Sequence, residues 1–552
     1  MGDYTAHVDT FARDNLPPKE QWPDFLFDLD DVRYPERLNC AVEFLDRHVA
    51  EGRGERTLFA TPEGDVSYAE FQKTVNRMAW VLVEDFGLVP GNRVLIRSAN
   101  NPTMTAALFA VIKAGGIVVC SMPLLRAVEL ATIVEKGQIR LALCDSRLSD
   151  EMEKTGARRN STLERIVYFT TDAPDGLEAR MAGKPDTFDA VDTARDDVCL
   201  IGFTSGTTGE PKGTMHFHRD MLAICDAYSK HVLRPEPDDR FIGSPPLAFT
   251  FGLGGLVLFP MRVGASAVLL EKAGPDQLID AIEAFRPTVC FTSPTAYRAI
   301  LGKLKGRDLS SLRKCVSAGE TLPKPTWDDW FAATGIKMQD GIGATEMLHI
   351  FISATLDEIR PGATGKVVPG YQAKVVGPDG AELPPGQIGR LAVRGPTGCR
   401  YLADDRQRNY VQDGWNLTGD TYRMDEDGYF WYQARNDDMI VSSGYNIGGP
   451  EVEAALLSHP AVAECGVVAQ PDPDRGSIVK AYVVLKPGQT GDPALTKALQ
   501  DHVKAEIAPY KYPRSIEYLS ALPRTDTGKL KRYELRAMAE HAAAWHKARG
   551  AA

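Results

Sequence analysis

The sequence predicts an α/β protein: a large N-terminal domain of helix-covered, largely parallel sheets with a small β unit, followed by a small α+β C-terminal domain. Three observations predict it. The chain has 552 residues, too many for one hydrophobic core. Short β-branched runs alternate with helical patterns through the first two-thirds, the texture of parallel strands covered by helices. The pattern then changes twice, near residue 362 and near residue 436.

The predicted strands of the first part include Arg93–Ser98, Gly116–Cys120, Arg140–Asp145, Arg165–Thr170, Ala265–Glu271, Pro287–Ser293 and Leu312–Ala318. Helical patterns cover Tyr68–Glu84, Asn101–Ala114 and Gln277–Ala284. The apolar stretch Met104–Leu125 is broken by Lys113 and Gly115-Gly116, so it reads as a buried helix, a turn and a strand, not a membrane span. From Gly362 to Gly395, Pro378-Asp379-Gly380 and Pro384-Pro385-Gly386 punctuate strand-turn-strand texture, which predicts a smaller antiparallel unit. Beyond Arg435-Asn436-Asp437-Asp438, a helix at Pro450–Leu457, strands at Val462–Gln470 and Val479–Leu485, a helix at Pro493–Ile507 and a strand at Ser515–Leu519 make a compact α+β domain. The division is therefore residues 1–436 and 437–552.

Composition narrows the function. Hydrophobic residues are 43%, charged residues 25%, and net charge is −11. That balance gives no support for a nucleic-acid surface, yet leaves room for a local phosphate site. The nine cysteines are scattered, without C-x-x-C or metal spacing, and suit free thiols in a reducing compartment. The polar N-terminus has no apolar signal segment. A cytoplasmic protein, with neither membrane nor nucleic acid as partner, is expected.

The sharpest motif is Phe203-Thr-Ser-Gly-Thr-Thr-Gly-Glu-Pro-Lys-Gly213, at the end of the apolar run Val198–Phe203. Glycines let backbone approach a phosphate, free N–H groups and hydroxyls donate to its oxygens, and Lys212 supplies charge. The spacing is neither Walker A nor G-x-G-x-x-G.

This string resembles the phosphate loop of the adenylate-forming enzymes: acyl-CoA synthetases, adenylation domains and beetle luciferases. The resemblance continues in order along nearly the whole chain. Ser317-Ala-Gly-Glu-Thr-Leu-Pro323 is similar to the segment bordering adenine and the acyl pocket. Asp340-Gly-Ile-Gly-Ala-Thr-Glu346 is similar to the block whose threonine contacts the α-phosphate and whose glutamate holds magnesium. Thr418-Gly-Asp420 resembles the ribose site, Arg435 its assisting arginine, and Pro523-Arg-Thr-Asp-Thr-Gly-Lys529 the catalytic-lysine loop.

The resemblance implies roles residue by residue. Catalysis would rest on Lys529, Thr345 and Glu346, with Glu346 the metal ligand. ATP or AMP would be bound by Thr204, Ser205, Gly206, Thr207, Thr208, Gly209, Lys212, Gly319, Glu320, Thr321, Asp340, Gly341, Ile342, Asp420 and Arg435. The small domain would be mobile about a hinge at Asp437. Ser443, Gly444 and Tyr445 would face the coenzyme A channel. Each piece is chemically apt. A carboxylate attacking a phosphate brings two anions together and needs cations at the meeting point. Glu346 offers Mg²⁺ a hard oxygen, and Asp420 is acceptor-only toward a diol. Singly, such residues are ordinary turn and surface groups; their joint order distinguishes them.

Within the family, the Asp340–Phe351 string resembles benzoate-CoA ligases, whereas Arg37–Leu45 and Tyr432-Gln-Ala-Arg435 resemble 2-aminobenzoate-CoA ligases. The acyl pocket implied is Thr250, Phe251, Ala318, Gly343, His349 and Ile350. Phe251 offers a ring face, Ala318 and Gly343 leave a slot, and Ile350 is an apolar wall. His349 reads equally as a contact for a ring substituent or as a structural histidine. The expectation is an ATP-dependent, AMP-forming aryl-CoA ligase using Mg²⁺ with ATP and coenzyme A as co-substrate. Benzoate and 2-aminobenzoate both stay open. The alternatives are an adenylating enzyme that loads a carrier-protein thiol or another acceptor, and a non-catalytic nucleotide-binding protein. A homodimer is implied by the resemblance alone.

Overall fold

The computed structural model describes residues 4–204, 211–435, 438–442, 445–472, 475–507, 509–525 and 528–550. Among the described residues, the strands assemble into five sheets. One has six strands, ordered Arg165–Phe169, Leu141–Asp145, Arg93–Arg97, Ile117–Ser121, Val198–Thr204 and Lys212–Phe217. Its neighbours are parallel except for the last pair, which is antiparallel. A nine-stranded sheet has a parallel middle of Thr57–Thr61, Ser266–Val268, Arg240–Gly243, Val289–Thr292, Lys314–Ala318 and Met338–Gly343. Antiparallel strands flank it: Gly64–Ser67 at one edge, Ile350–Ser353 and Lys366–Val367 at the other.

Local chemistry sets these elements. Ser67 and Glu70 form a capping box at the start of the helix Tyr68–Trp80, which continues as a π-helical stretch, Val81–Asp85. The helix Pro102–Lys113 begins with proline, and the Asn101 side chain accepts from the Met104 N–H. It is buried to its end, where Asp46 neutralises Lys113 at 2.8 Å. Gly115 then takes a left-handed turn (φ 77°) into Ile117–Ser121. The stretch 104–125 is thus helix, turn and strand. No helix among the described residues is long and apolar enough to cross a membrane. All nine cysteines are unpaired, and eight of them are buried.

The small β unit extends further than its punctuation indicates. Gln372–Val376, Ile388–Arg394, Trp415–Met424 and Phe430–Arg435 pair antiparallel in succession. Residues 415–435 escaped a strand reading because Gly419 (φ 79°) and a register shift interrupt their alternation.

Past residue 437 the chain builds a separate core from Ile440, Ile447, Val452, Leu456, Val467, Val479, Val483, Leu499 and Val503. A sheet of Val462–Asp472, Gly476–Leu485 and Ser515–Tyr518 is covered by the helices Gly449–Leu457 and Pro493–Glu506. The first helix rests on the strand Phe430–Arg435. A side chain at Gly448 would overlap the Gln433 carbonyl, so glycine permits that approach.

Candidate active site

The site lies at the carboxyl ends of Val198–Thr204, Lys314–Ala318 and Met338–Gly343, where open α/β sheets bind ligands. The two sheets touch there through small residues. A Cβ on Gly202 would sit 2.9 Å from Thr345 Cγ2 and 3.9 Å from Thr250 Cγ2. The Gly202 gap thus brings the strand Val198–Thr204 against Thr345 and Thr250.

Lys212 opens the returning strand and points at the Thr345–Met347 turn. Its Nζ lies 3.5 Å from Glu346 Oε1 and 2.8 Å from the Tyr401 hydroxyl. That hydroxyl is 2.5 Å from the same Glu346 oxygen. Burial and the Glu346 carboxylate push the Tyr401 phenol far above its ordinary range. It is therefore protonated, donating to Glu346 and accepting from Lys212. Glu346 Oε2 has no protein partner among the described residues. A half-screened carboxylate with one free oxygen suits Mg²⁺, which takes one or two carboxylates and keeps its waters. The Thr204 hydroxyl is enclosed and likewise lacks a partner among the described residues. Buried polar atoms left so are costly, and a ligand oxygen would satisfy this one.

Asp420 and Arg435 face each other across antiparallel strands, joined at 3.1 Å. Burial raises the Asp420 carboxyl, and Arg435 opposes that shift. Arg435 is the exposed partner. After the strand Lys314–Ala318, Gly319 has φ 85° and Glu320 accepts from Thr295 Oγ1 at 2.6 Å. Thr321 follows, half-buried. Asp340 pairs in register with Ser317, and Gly341 with Ala318. Burial pushes the Asp340 carboxyl well up, and its Oδ1 has no partner among the described residues. Ile342 pairs with Ile352.

Thr250 and Phe251 begin a short helix beside an aromatic cluster. His349 stands in its middle, 4.5 Å from the Phe259 ring, 5.7 Å from Tyr228 and 5.8 Å from Phe251, centroid to centroid. Its Nε2 bonds the Phe251 carbonyl at 3.4 Å. Burial lowers its pKa to about 3, so the ring is neutral. The carbonyl requires the proton on Nε2 and leaves Nδ1 a bare acceptor without a partner among the described residues. Ile350 is buried and packs on Gly341, whose Cβ would lie 2.8 Å from Ile350 Cδ1. Ala318 is 4% exposed. The glycine at 343 has its own backbone reason: a Cβ there would meet the His349 carbonyl group at 2.8 Å.

Lys529 is exposed, and its side chain makes no hydrogen bond or ion pair with the described residues. Its backbone closes a loop on Thr525, by bonds of 2.8 and 3.0 Å. Tyr445 pairs in register with Ser442 in a two-stranded hairpin. Ser205, Gly206, Thr207, Thr208, Gly209, Asp437, Ser443 and Gly444 lie outside the described residues.

Two features escaped the sequence reading. One is Tyr401. The other is a buried polar chain: His216 Nε2 to the Thr345 carbonyl (2.8 Å), Asp220 beside His216, and Arg400 ion-paired to Asp220.

Lys212, Glu346 and the Asp420–Arg435 pair thus lie near one another. The chain belongs to the AMP-binding enzyme family, which matches residues 45–401, with the AMP-binding enzyme C-terminal domain matching residues 451–529. Benzoate-CoA ligase of Thauera aromatica is 35% identical over 92% of this chain and 97% of its own. The anthranilate CoA ligase AuaEII, solved with anthranoyl-AMP, superposes with a TM-score of 0.88 at 35% identity, over 94% of this chain and all of that one. A benzoate CoA ligase from Burkholderia xenovorans gives a TM-score of 0.83 at 29% identity, over 90% and 100%.

Proposed function

We propose that this protein is an ATP-dependent aryl-CoA ligase. It joins a small aromatic carboxylate to the α-phosphate of ATP, releases pyrophosphate, and passes the acyl group to the thiol of coenzyme A with loss of AMP. The observation that carries the reading is the meeting of Lys212, Thr345 and Glu346 in one cleft, with Thr250 and the Phe251–His349 aromatic recess beside them. The benzoate and anthranilate ligases described above support the acid class.

In this mechanism Lys212 and the phosphate loop bind the phosphates, and Thr345 and Thr204 orient the reacting one. Mg²⁺, held through Glu346, would neutralise the phosphate charge. Asp420, steadied by Arg435, accepts from the ribose hydroxyls. Asp340 and the Gly319–Thr321 segment, with Gly341 and Ile342, border the adenine. Phe251, Ala318, Gly343, His349 and Ile350 hold the ring, excluding water from the carboxylate. Lys529, free on its loop, enters to position the attacking carboxylate. The small domain, residues 437–552, then turns about Asp437 so that Ser443, Gly444 and Tyr445 face the thiol. The separate core of that domain supports its movement as a body. Nine unpaired thiols suit work in the reducing cytoplasm.

Incubation with ATP, Mg²⁺, coenzyme A and benzoate or 2-aminobenzoate, with no added protein, should yield the aryl-CoA by mass spectrometry. Aryl-AMP accumulating without thioester would assign the acyl group to a different acceptor.

A further inference from the structure

A buried ion pair and a buried histidine stand behind the reacting centre. Arg400 and Asp220 are both fully buried and paired. Arg400 also donates to the Met215 carbonyl at 3.2 Å and lies 3.9 Å over the Phe217 ring, so its place on the Lys212–Phe217 strand is fixed. The backbone repeats the tie: Met215 N–H donates to the Arg400 carbonyl and Leu402 N–H to that of Gly213. The next residue, Tyr401, carries the hydroxyl that bonds Glu346 and Lys212. Asp220 Oδ2 stands 3.7 Å from His216 Nδ1, and His216 Nε2 donates to the Thr345 carbonyl at 2.8 Å.

Asp220 is held down to about 2 by Arg400, against its burial. Burial lowers the His216 pKa, so the ring is neutral with its proton on Nε2 toward the carbonyl. A buried charge pair costs desolvation and adds little stability over apolar packing, but it fixes geometry when every partner is set.

We infer that Tyr401 and His216 are positioning residues for adenylation: Tyr401, next to the anchored Arg400, and His216, through its bond to the Thr345 carbonyl, hold Glu346 and Thr345 in register with Lys212. This rests on the aryl-CoA ligase reading. Tyr401 turns one Glu346 oxygen to itself and leaves the other for the metal, while His216 sets the Thr345 turn. Each acts through another residue, Tyr401 through Glu346 and His216 through Thr345.

The test compares wild type with Tyr401→Phe, His216→Phe and His216→Gln, the last keeping an N–H donor near the Nε2 position. ATP affinity is titrated calorimetrically at stepped Mg²⁺, and both half-reactions are timed: pyrophosphate release with acid, and thioester formation from supplied aryl-AMP. Tyr401→Phe should weaken the Mg²⁺ dependence of ATP binding and slow pyrophosphate release by about 10- to 100-fold, the usual cost of losing an outer partner of a metal ligand. His216→Phe should lower the rate constant of adenylation more than it raises the KM for ATP, and His216→Gln should recover most of it. Thioester formation should fall by a smaller factor in each. Equal loss in both half-reactions, tracking a fall in Tm, would make the residues merely structural and overturn the inference. So would an unchanged Mg²⁺ dependence in Tyr401→Phe. Absence of pyrophosphate release by wild type would refute the ligase reading instead, and the binding titration would still decide the role of Tyr401.

Discussion

Asp420 and Arg435 stand opposite each other on neighbouring antiparallel strands, 3.1 Å apart, with the acid buried and the base exposed. Burial raises the Asp420 pKa and Arg435 opposes it. Asp420→Ala should raise the KM for ATP about 10- to 100-fold, the worth of hydrogen bonds to a charged group. Arg435→Ala removes the opposing charge. The Asp420 pKa then rises further, so the acid limb of the pH profile for ATP affinity should move to higher pH. An unmoved limb would contradict the assignment of Asp420 as the titrating acceptor.

Lys529 has no described side-chain partner and sits on a loop closed by its own backbone. Lys529→Ala should slow adenylation by about 100- to 1,000-fold, the scale of removing one electrostatic donor from a transition state. Thioester formation from supplied aryl-AMP should be largely retained. Equal loss of both half-reactions would refute the two-state use of the small domain.

His349 and His7 are buried and neutral, with pKa values lowered to about 3 and about 4. In the unfolded chain each returns to roughly 6.5. Below that pH the unfolded state binds protons that the native state refuses. Their stabilisation is therefore complete above about pH 6.5 and lost as pH falls, with a slope near 1.4 kcal/mol per pH unit for each histidine. Denaturant midpoints measured from pH 7 to pH 5 should drop accordingly. His349→Gln should flatten that slope, and an equally steep drop in the variant would contradict it.

Gly254 faces the His349 ring so closely that a Cβ would overlap its Cδ2. Gly254→Ala should push the imidazole out of its aromatic cluster and destabilise by about 1–3 kcal/mol. Turnover of aromatic acids should fall more than ATP affinity does, as kinetics with the acid and ATP each varied in turn would show.

Much of this was legible from residue patterns. The parallel strands showed as β-branched runs. Asp420 and Arg435 were named from the family resemblance, and they do pair. Tyr401 and His216 were not legible, because their partners lie far off in sequence: Glu346 is 55 residues from Tyr401, and Thr345 is 129 from His216. No local spacing encodes such contacts. The strand Ile350–Ser353 was also missed, although His349 and Ile350 were named for their place beside the acyl group. A four-residue buried run has no periodicity to distinguish it from a core loop. Gly343 was named for its smallness, and the close approach of the His349 backbone gives it a second reason to be glycine.

The measurement that tests the central claim most directly is pyrophosphate release with ATP and Mg²⁺ across a panel of acids, each with and without coenzyme A. The panel holds benzoate, 2-aminobenzoate, hydroxybenzoates, cyclohexanecarboxylate, a medium-chain fatty acid and an amino acid. An aryl-CoA ligase should turn over repeatedly only with small aromatic acids, and only when coenzyme A is present. Multiple turnovers with the fatty acid or the amino acid in preference to every aromatic acid would contradict it.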